Sequence, residues 1–190
     1  GGSDEGTYYI CGSRGVVWTG AVSSQYSNDD NWMYGSGFGN PGAPSLNEHV
    51  VISPNAANPA VVSTGGSFAN NVWLMSGASL SVNAGQTLNI EGDLDIDNNA
   101  NDFGDGTVAM IAVANSQTIT NTFVTVEFGE LLIDNTAGVA VVQTFGGAVN
   151  IQEVLDITSG DLNTTSGNVV LVSNASGTAY LDDWNGSATS

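Results

Sequence analysis

The sequence has almost no basic side chains. Arg14 is the single Lys or Arg among 190 residues, against nineteen Asp and Glu, which gives a formal net charge of -18. Nucleic acids and anionic membranes attract proteins through Lys and Arg patches, so we expect neither nucleic acid binding nor membrane insertion. Chains with this much charge are often disordered, but here 41% of the residues are hydrophobic and regularly spaced, which indicates a folded protein.

Cysteine is almost missing as well. Cys11 is the only one, so no disulfide can form within the chain. We expect a buried thiol at this position, and the alternative is a disulfide to another chain. No stretch approaches the ~20 apolar residues of a membrane-spanning helix. The N-terminal GGSDEGTYY has neither the basic region nor the apolar run of a secretion signal. We therefore interpret the chain as a mature protein whose signal was removed, or as a fragment of a longer one.

The sequence also lacks the apolar period of a helix and shows a shorter period instead. Apolar residues recur in pairs at alternate positions, separated by breaks rich in Gly, Asn and Ser, most clearly within 72–96. Each pair predicts a short half-buried strand and each break predicts a turn. The predicted strands of the regular body are 49–52, 60–62, 72–75, 80–82, 88–90, 94–96, 108–113, 123–128, 131–133, 139–142, 149–151, 155–157, 169–172 and 179–181.

The strand spacing predicts the fold. Three short strands with their turns total about 20 to 25 residues, the length of one coil of a parallel β-helix, or β-solenoid. We predict an all-β solenoid of roughly five to six coils, built by residues 48–190. The alternative is a β-sandwich, whose hairpins usually have strands of about five to six residues around Asn-Gly or Asp-Gly turns.

Two segments precede this body. Residues 1–15 are predicted to be an extended arm with a candidate strand at 7–11. Residues 16–47 hold many aromatics in a Gly-, Asn- and Ser-rich context without strict periodicity. Such a segment orders only by packing its aromatics onto another surface, and the open end of the solenoid supplies one. We predict that Trp18 and Trp32 cap the solenoid; stacking of the same rings on a glycan is the alternative.

The segment 16–52 resembles a known motif: W-T-G, several polar residues, N-W, a Gly/Asn loop, P-S and a strand ending in V-I. This motif opens β-helical regions in large secreted and surface proteins of Bacteroidetes-type bacteria, and a related form occurs in adhesins. The later segment 146–181 is similar to repeats of the same proteins. The resemblance implies an extracellular or cell-surface, mainly structural solenoid and no catalytic residues. The matching positions are Trp18, Thr19, Gly20, Asn31, Trp32, Pro44, Ser45 and Ile52.

Acidic residues are densest between 91 and 105. On a strand, Asp93, Asp95 and Asp97 would project from one face while the apolar residues between them enter the core. The following loop would add Asp102 and Asp105. Oxygen ligands in flexible turns suit calcium, so these five carboxylates are a candidate calcium site. The alternative is a solvated acidic face, because two carboxylates about 7 Å apart repel by only ~0.6 kcal/mol in water.

Three functions fit these observations. The first is a structural subunit or module of a filament, coat or adhesin that associates end to end with copies of itself or with other surface proteins. The arm residues Tyr8, Tyr9 and Ile10 are the candidate self-association segment. The second is a glycan- or surface-binding module. The third, which we favour least, is a polysaccharide-active enzyme around Asp93 and Asp95. Its carboxylate pair would need a cleft and a definite separation, and a ladder of strands alone provides neither, so we expect no enzymatic activity. His49 is the only histidine, so no metal cluster or triad can be assigned to it.

Overall fold

The alternating apolar segments form strands that pair in parallel with the segment one coil further along the chain. Val50 pairs with Val72 and Val72 with Leu94, so two successive steps are 22 residues each. The structure is a computed structural model that describes residues 15–37, 39–97, 101–122, 124–143, 147–164, 168–173 and 177–182. It is a parallel β-solenoid of about five turns. The predicted solenoid is confirmed and the alternative sandwich is wrong.

The described residues form seventeen strands. They are β1 (Gly15–Trp18), β2 (Trp32–Tyr34), β3 (His49–Ile52), β4 (Ala60–Val62), β5 (Ser67–Ala69), β6 (Val72–Leu74), β7 (Leu80–Val82), β8 (Thr87–Ile90), β9 (Leu94–Ile96), β10 (Thr107–Met110), β11 (Gln117–Asn121), β12 (Val126–Asp134), β13 (Val139–Gln143), β14 (Val149–Ser159), β15 (Leu162–Asn163), β16 (Val169–Leu171) and β17 (Tyr180–Asp182). A single turn of 3-10 helix, Asp29–Asn31, lies between β1 and β2.

The strands line three faces of the coil. The first face has the order β15-β13-β11-β9-β6-β3-β1-β2, parallel except for β2, which is antiparallel to β1. The second face contains β4, β7, residues 126–128 of β12, residues 149–151 of β14, and β16. The third face contains β5, β8, β10, residues 130–133 of β12, residues 154–157 of β14, and β17.

In the later coils the second and third faces are joined by one continuous strand. The pairing of β12 with β14 shifts register between Phe128 and Glu130, and this shift turns the corner. Gly129 lies in the shift, where a Cβ atom would sit 2.4 Å from the Gly104 carbonyl oxygen of the preceding coil. Only a residue without a side chain lets the two backbones approach this closely.

The inward side chains of each face stack in columns along the axis. On the first face one column contains, in order, the buried residues Val16, Val50, Val72, Leu94, Ile119 and Val141. Removing these side chains from water is the main source of stability, at about 1.5–3 kcal/mol for each fully buried aliphatic side chain.

Polar amides replace apolar residues at some inward positions. Gln117 is buried and donates from Nε2 to the Ile90 carbonyl oxygen at 2.9 Å. It accepts from the side chain of buried Asn135 at 2.8 Å. Asn101 is also buried, and its side chain both donates to and accepts from the backbone of Leu80, at 2.9 and 3.2 Å. A buried amide is tolerated in a core when its hydrogen bonds are made in this way.

Candidate functional site

The two ends of the solenoid differ, and the N-terminal end is closed. Trp18, Tyr26 and Trp32 are 1%, 1% and 3% exposed. The Trp32 ring meets the rings of Trp18 and Tyr26 edge-on, with centroids 5.0 and 4.8 Å apart. This is the favoured geometry for aromatic pairs, so the three rings form a compact apolar lid on the first coil.

The polar atoms of this lid are paired. The Trp18 indole N–H donates to the Asn58 carbonyl oxygen at 2.8 Å, and the Tyr26 hydroxyl donates to the Phe68 carbonyl oxygen at 3.0 Å. Burial raises the pKa of the Tyr26 phenol well above its usual range. Trp18 and Trp32 therefore lie at the predicted capping position. Both rings are buried, so neither presents an open face on which a sugar could stack in this structure.

The first face begins within the segment that the sequence predicted as a cap. Strand β1 pairs in parallel with β3, with Val16 beside Val50 and Trp18 beside Ile52. Strand β2 then pairs antiparallel with β1 and covers its outer edge. The segment 16–47 is therefore less irregular than its aromatic-rich sequence suggests, because two of its stretches join the first sheet.

The C-terminal end is uncovered in the described part of the chain. Leu171 and Leu181 occupy inward positions, beside Ile151 and Leu155 of the previous coil. Ile151 and Leu155 are 0% and 7% exposed, whereas Leu171 and Leu181 are 41% and 49% exposed. The apolar interior of the solenoid thus reaches the surface at its last coil.

The backbone of the last coil is also open. Strands β15, β16 and β17 are the last in their sheets, and no strand among the described residues pairs with their outer edges. An open strand edge beside exposed apolar side chains recruits further strands. We call the described edge of β15, β16 and β17, with Leu171 and Leu181, the open end.

The predicted calcium ligands divide between faces. Asp95 points outward from β9 on the first face, and Asp93 and Asp97 flank that strand. The backbone of Asp102 forms an isolated parallel β-bridge with the backbone of Glu127 on the second face. Asp105 lies in the turn that leads to the third face.

Several of these carboxylates already accept hydrogen bonds within the protein. Asp93 accepts from the backbone N–H of Thr118 at 2.8 Å, and Asp102 accepts from the backbone N–H of Gly104 at 2.8 Å. Partial burial raises the pKa of the Asp95 carboxyl, a hydrogen bond from Thr120 lowers it, and the charge of Asp93 raises it. The described ranges contain no group of three His, Cys, Asp or Glu that could hold a metal ion. Calcium binding here stays a prediction, and loop residues 98–100 lie outside the described residues.

Several other predicted features lie outside the described residues. They are the arm with its candidate strand at 7–11, the self-association residues Tyr8, Tyr9 and Ile10, the thiol of Cys11 and the basic residue Arg14. His49 begins β3 and is half-buried, which agrees with a strand-edge position.

A groove that the sequence analysis missed runs along the outside of the third face. It has a volume of about 310 Å³ and is lined by Thr87, Thr107, Glu130, Asp156, Tyr180 and Asp182, with apolar contributions between them. The Thr107 hydroxyl donates to the Glu130 carboxylate at 2.5 Å. Asp156 and Asp182 lie directly opposite each other on neighbouring strands. The sequence signal was available, because Glu130, Asp156 and Asp182 recur at intervals of about one coil.

No protein-family model, curated protein or solved structure matches the chain. The similarity to surface proteins of Bacteroidetes-type bacteria therefore stays a prediction from the sequence motif alone. None of the helices in the described ranges is long and apolar enough to span a membrane.

Proposed function

We propose that the chain is an extracellular or cell-surface structural module, belonging to a bacterial filament, coat or adhesin, that associates end to end through its open end. The observation that carries this proposal is the exposure of Leu171 and Leu181 at inward positions, 41% and 49%, where the preceding coil is buried. Completing the burial of each side chain would contribute about 1 kcal/mol, roughly half the value for a fully exposed Leu.

The partner surface is the capped end of a second copy. Strand β2 forms one edge of the first face and β15 forms the other. In a stack of copies related by translation, β2 of one copy would lie beside β15 of the next and run antiparallel to it. This contact joins two different surfaces, so it does not close and builds a linear assembly.

The charge of the chain acts against this contact. Each copy carries a formal charge of -18, and Arg14 is the only basic side chain available to compensate it. Repulsion between two such copies extends over about 30 Å at 0.01 M salt but only about 3 Å at 1 M salt. The proposed assembly therefore forms more readily as ionic strength rises, opposite to the behaviour of an interface built from salt bridges.

The decisive experiment is analytical ultracentrifugation of the whole chain at low and high salt, with negative-stain electron microscopy of the same samples. We expect salt-promoted linear oligomers that the double variant Leu171→Ser/Leu181→Ser loses. The control is Val113→Ser, which removes a side chain that is more exposed, 79%, but lies in a connection between β10 and β11, away from both ends of the solenoid.

Circular dichroism melts show whether each variant is folded. Oligomers that survive in the folded double variant, or a wild-type chain that stays monomeric at every salt concentration, would refute the proposal. Deletion of residues 1–14 tests the predicted role of Tyr8, Tyr9 and Ile10 separately, because it leaves β1 and the last coil intact.

A further inference from the structure

The groove on the third face has the features of a ligand site. We propose that it binds a neutral oligosaccharide that lies along the solenoid axis. This inference does not depend on end-to-end association, because every groove side chain named above points outward from its strand rather than along the axis.

The shape of the groove favours a linear ligand. Its lining comes from five stacked strands, β8, β10, β12, β14 and β17, which pair successively in parallel. Four steps of about 4.8 Å give a length of about 19 Å. The volume of about 310 Å³ lies at the lower end of the range for ligand pockets. A short chain of sugar rings fits a site of this length and depth better than a compact metabolite does.

The lining offers the groups that sugars require. Glu130 and Asp156 are half-buried and offer carboxylate oxygens that accept hydrogen bonds from hydroxyl groups. Thr87 adds a hydroxyl that can donate or accept, and Thr107, whose hydroxyl hydrogen is donated to Glu130, adds an oxygen that can accept. Tyr180 is 51% exposed at the end of the groove and supplies an aromatic ring on which a sugar can stack.

Charge restricts the class of ligand. The groove lining contains three carboxylates and no basic side chain, on a chain of formal charge -18. Phosphates, sulfated glycans and uronic acid polymers would be repelled. A bound metal ion is disfavoured as well, because the described residues hold no group of three acidic, His or Cys side chains arranged as ligands. Neutral glycans donate hydrogen bonds from their hydroxyl groups to the carboxylates and bring no negative charge that the groove would repel.

The groove is suited to binding rather than hydrolysis. It is an open channel, and Asp182 is exposed to solvent. Glycoside hydrolysis needs an enclosed acid whose protonated form is stabilised opposite a second carboxylate at a set distance. We therefore expect bound oligosaccharides to remain intact.

Titration calorimetry of the whole chain tests this proposal. The probes are neutral hexasaccharides with cello-, xylo-, manno-, laminari- and chito- (N-acetylated) linkages, with oligogalacturonate as the anionic comparison and oligolysine as a cationic one. We expect at least one neutral probe to bind, and Tyr180→Ala and Glu130→Gln each to weaken that binding tenfold or more. The controls are Trp73→Ala, an exposed aromatic on the first face, and Glu91→Gln, an exposed acid in a turn.

Four outcomes would overturn the inference. They are the absence of binding by every neutral probe, binding of oligogalacturonate, binding of oligolysine alone, and equal losses in the groove variants and their controls. Release of new reducing ends from a bound probe would also overturn the inference, because it would show that the groove hydrolyses the oligosaccharide. Circular dichroism of each variant separates loss of the groove side chain from loss of the fold.

Discussion

The Trp32 indole N–H donates a 2.7 Å hydrogen bond to the backbone carbonyl oxygen of Tyr26, while the two rings meet edge-on with centroids 4.8 Å apart. One side chain thereby fixes both the ring and the backbone of its neighbour. The hydrogen bonds of Trp18 to Asn58 and of Tyr26 to Phe68 tie the lid to the first coil, and the contact between Trp32 and Tyr26 holds the rings of the lid together.

Trp32→Ala should destabilise the protein by about 3–5 kcal/mol, because it removes a large buried ring and leaves a cavity. Trp32→Phe should cost less, since it keeps an aromatic ring and loses the hydrogen bond to Tyr26. Urea denaturation followed by circular dichroism measures both. Tyr34→Ala serves as the control, because Tyr34 lies on the same strand but is 39% exposed. Equal losses for Trp32→Ala and Tyr34→Ala would contradict the capping role.

Gly129→Ala should destabilise the protein by roughly 2 kcal/mol or more, because the new methyl group would overlap backbone atoms of the preceding coil. The nearest atom is the Gly104 carbonyl oxygen at 2.4 Å, and a backbone oxygen cannot move aside as a side chain would. Gly65→Ala is the matched control, since its nearest neighbour is a side-chain oxygen of Gln86 at 3.8 Å. Thermal melts compare the two. A Gly129→Ala protein as stable as Gly65→Ala would show that the corner is not tightly packed.

Asn101→Ala should lower the free energy of unfolding by about 2–4 kcal/mol, because it leaves the buried N–H and C=O groups of Leu80 without hydrogen-bond partners. The Asn101 side chain bonds to both of these groups and so replaces part of a strand on the second face. Asn83→Ala, at an exposed turn position, should change the free energy of unfolding by less than about 0.5 kcal/mol. Chemical denaturation measures both values. An unchanged free energy of unfolding in Asn101→Ala would contradict the prediction and would mean that water replaces the lost hydrogen bonds.

Asp95→Asn should stabilise the protein slightly at neutral pH. The folded-state pKa of Asp95 is raised above its ordinary value of 3.8, so the folded protein disfavours the ionised form. Folding is therefore penalised at pH values above the folded pKa, and the penalty disappears as the pH falls below the unfolded value. The Asp95 side chain is only partly buried and much of its surface faces solvent, so screening limits the gain to about 0.5 kcal/mol or less. Denaturation of both proteins at pH 7 and pH 3 should show the difference at pH 7 only; a difference that persists at pH 3 would exclude this origin.

Much of the solenoid could be predicted because most inward positions are apolar and occupy alternate positions of each short strand. The predicted bounds of β3, β4, β7 and β9 are those observed, since each has apolar residues at its inward positions. Strands β5 and β11 were missed because Ser67, Gln117 and Asn121 occupy inward positions there. Gln117 is held there by hydrogen bonds to Ile90 and Asn135 of neighbouring coils, which a single stretch of sequence does not reveal. The Ser67 hydroxyl and the Asn121 side-chain oxygen are buried without a hydrogen-bond partner among the described residues, so polarity alone argues against burial at these two positions.

The candidate surfaces were less predictable for a related reason. The density of acidic residues along the chain singles out Asp93, Asp95 and Asp97. In a solenoid, however, residues one coil apart are neighbours, so Asp156 and Asp182 lie side by side although 26 positions separate them. The exact coil length sets which residues meet, and insertions in the turns change it from coil to coil.

On the first face the chain advances by 22 residues from Val50 to Val72 and by 22 again to Leu94. This repeated step makes the length of the molecule independent of the structure of its two ends. Duplicating one whole coil would lengthen the molecule by about 4.8 Å without altering the lid or the last coil. The length of the solenoid can therefore change in fixed increments of one coil while the surfaces at its two ends stay the same.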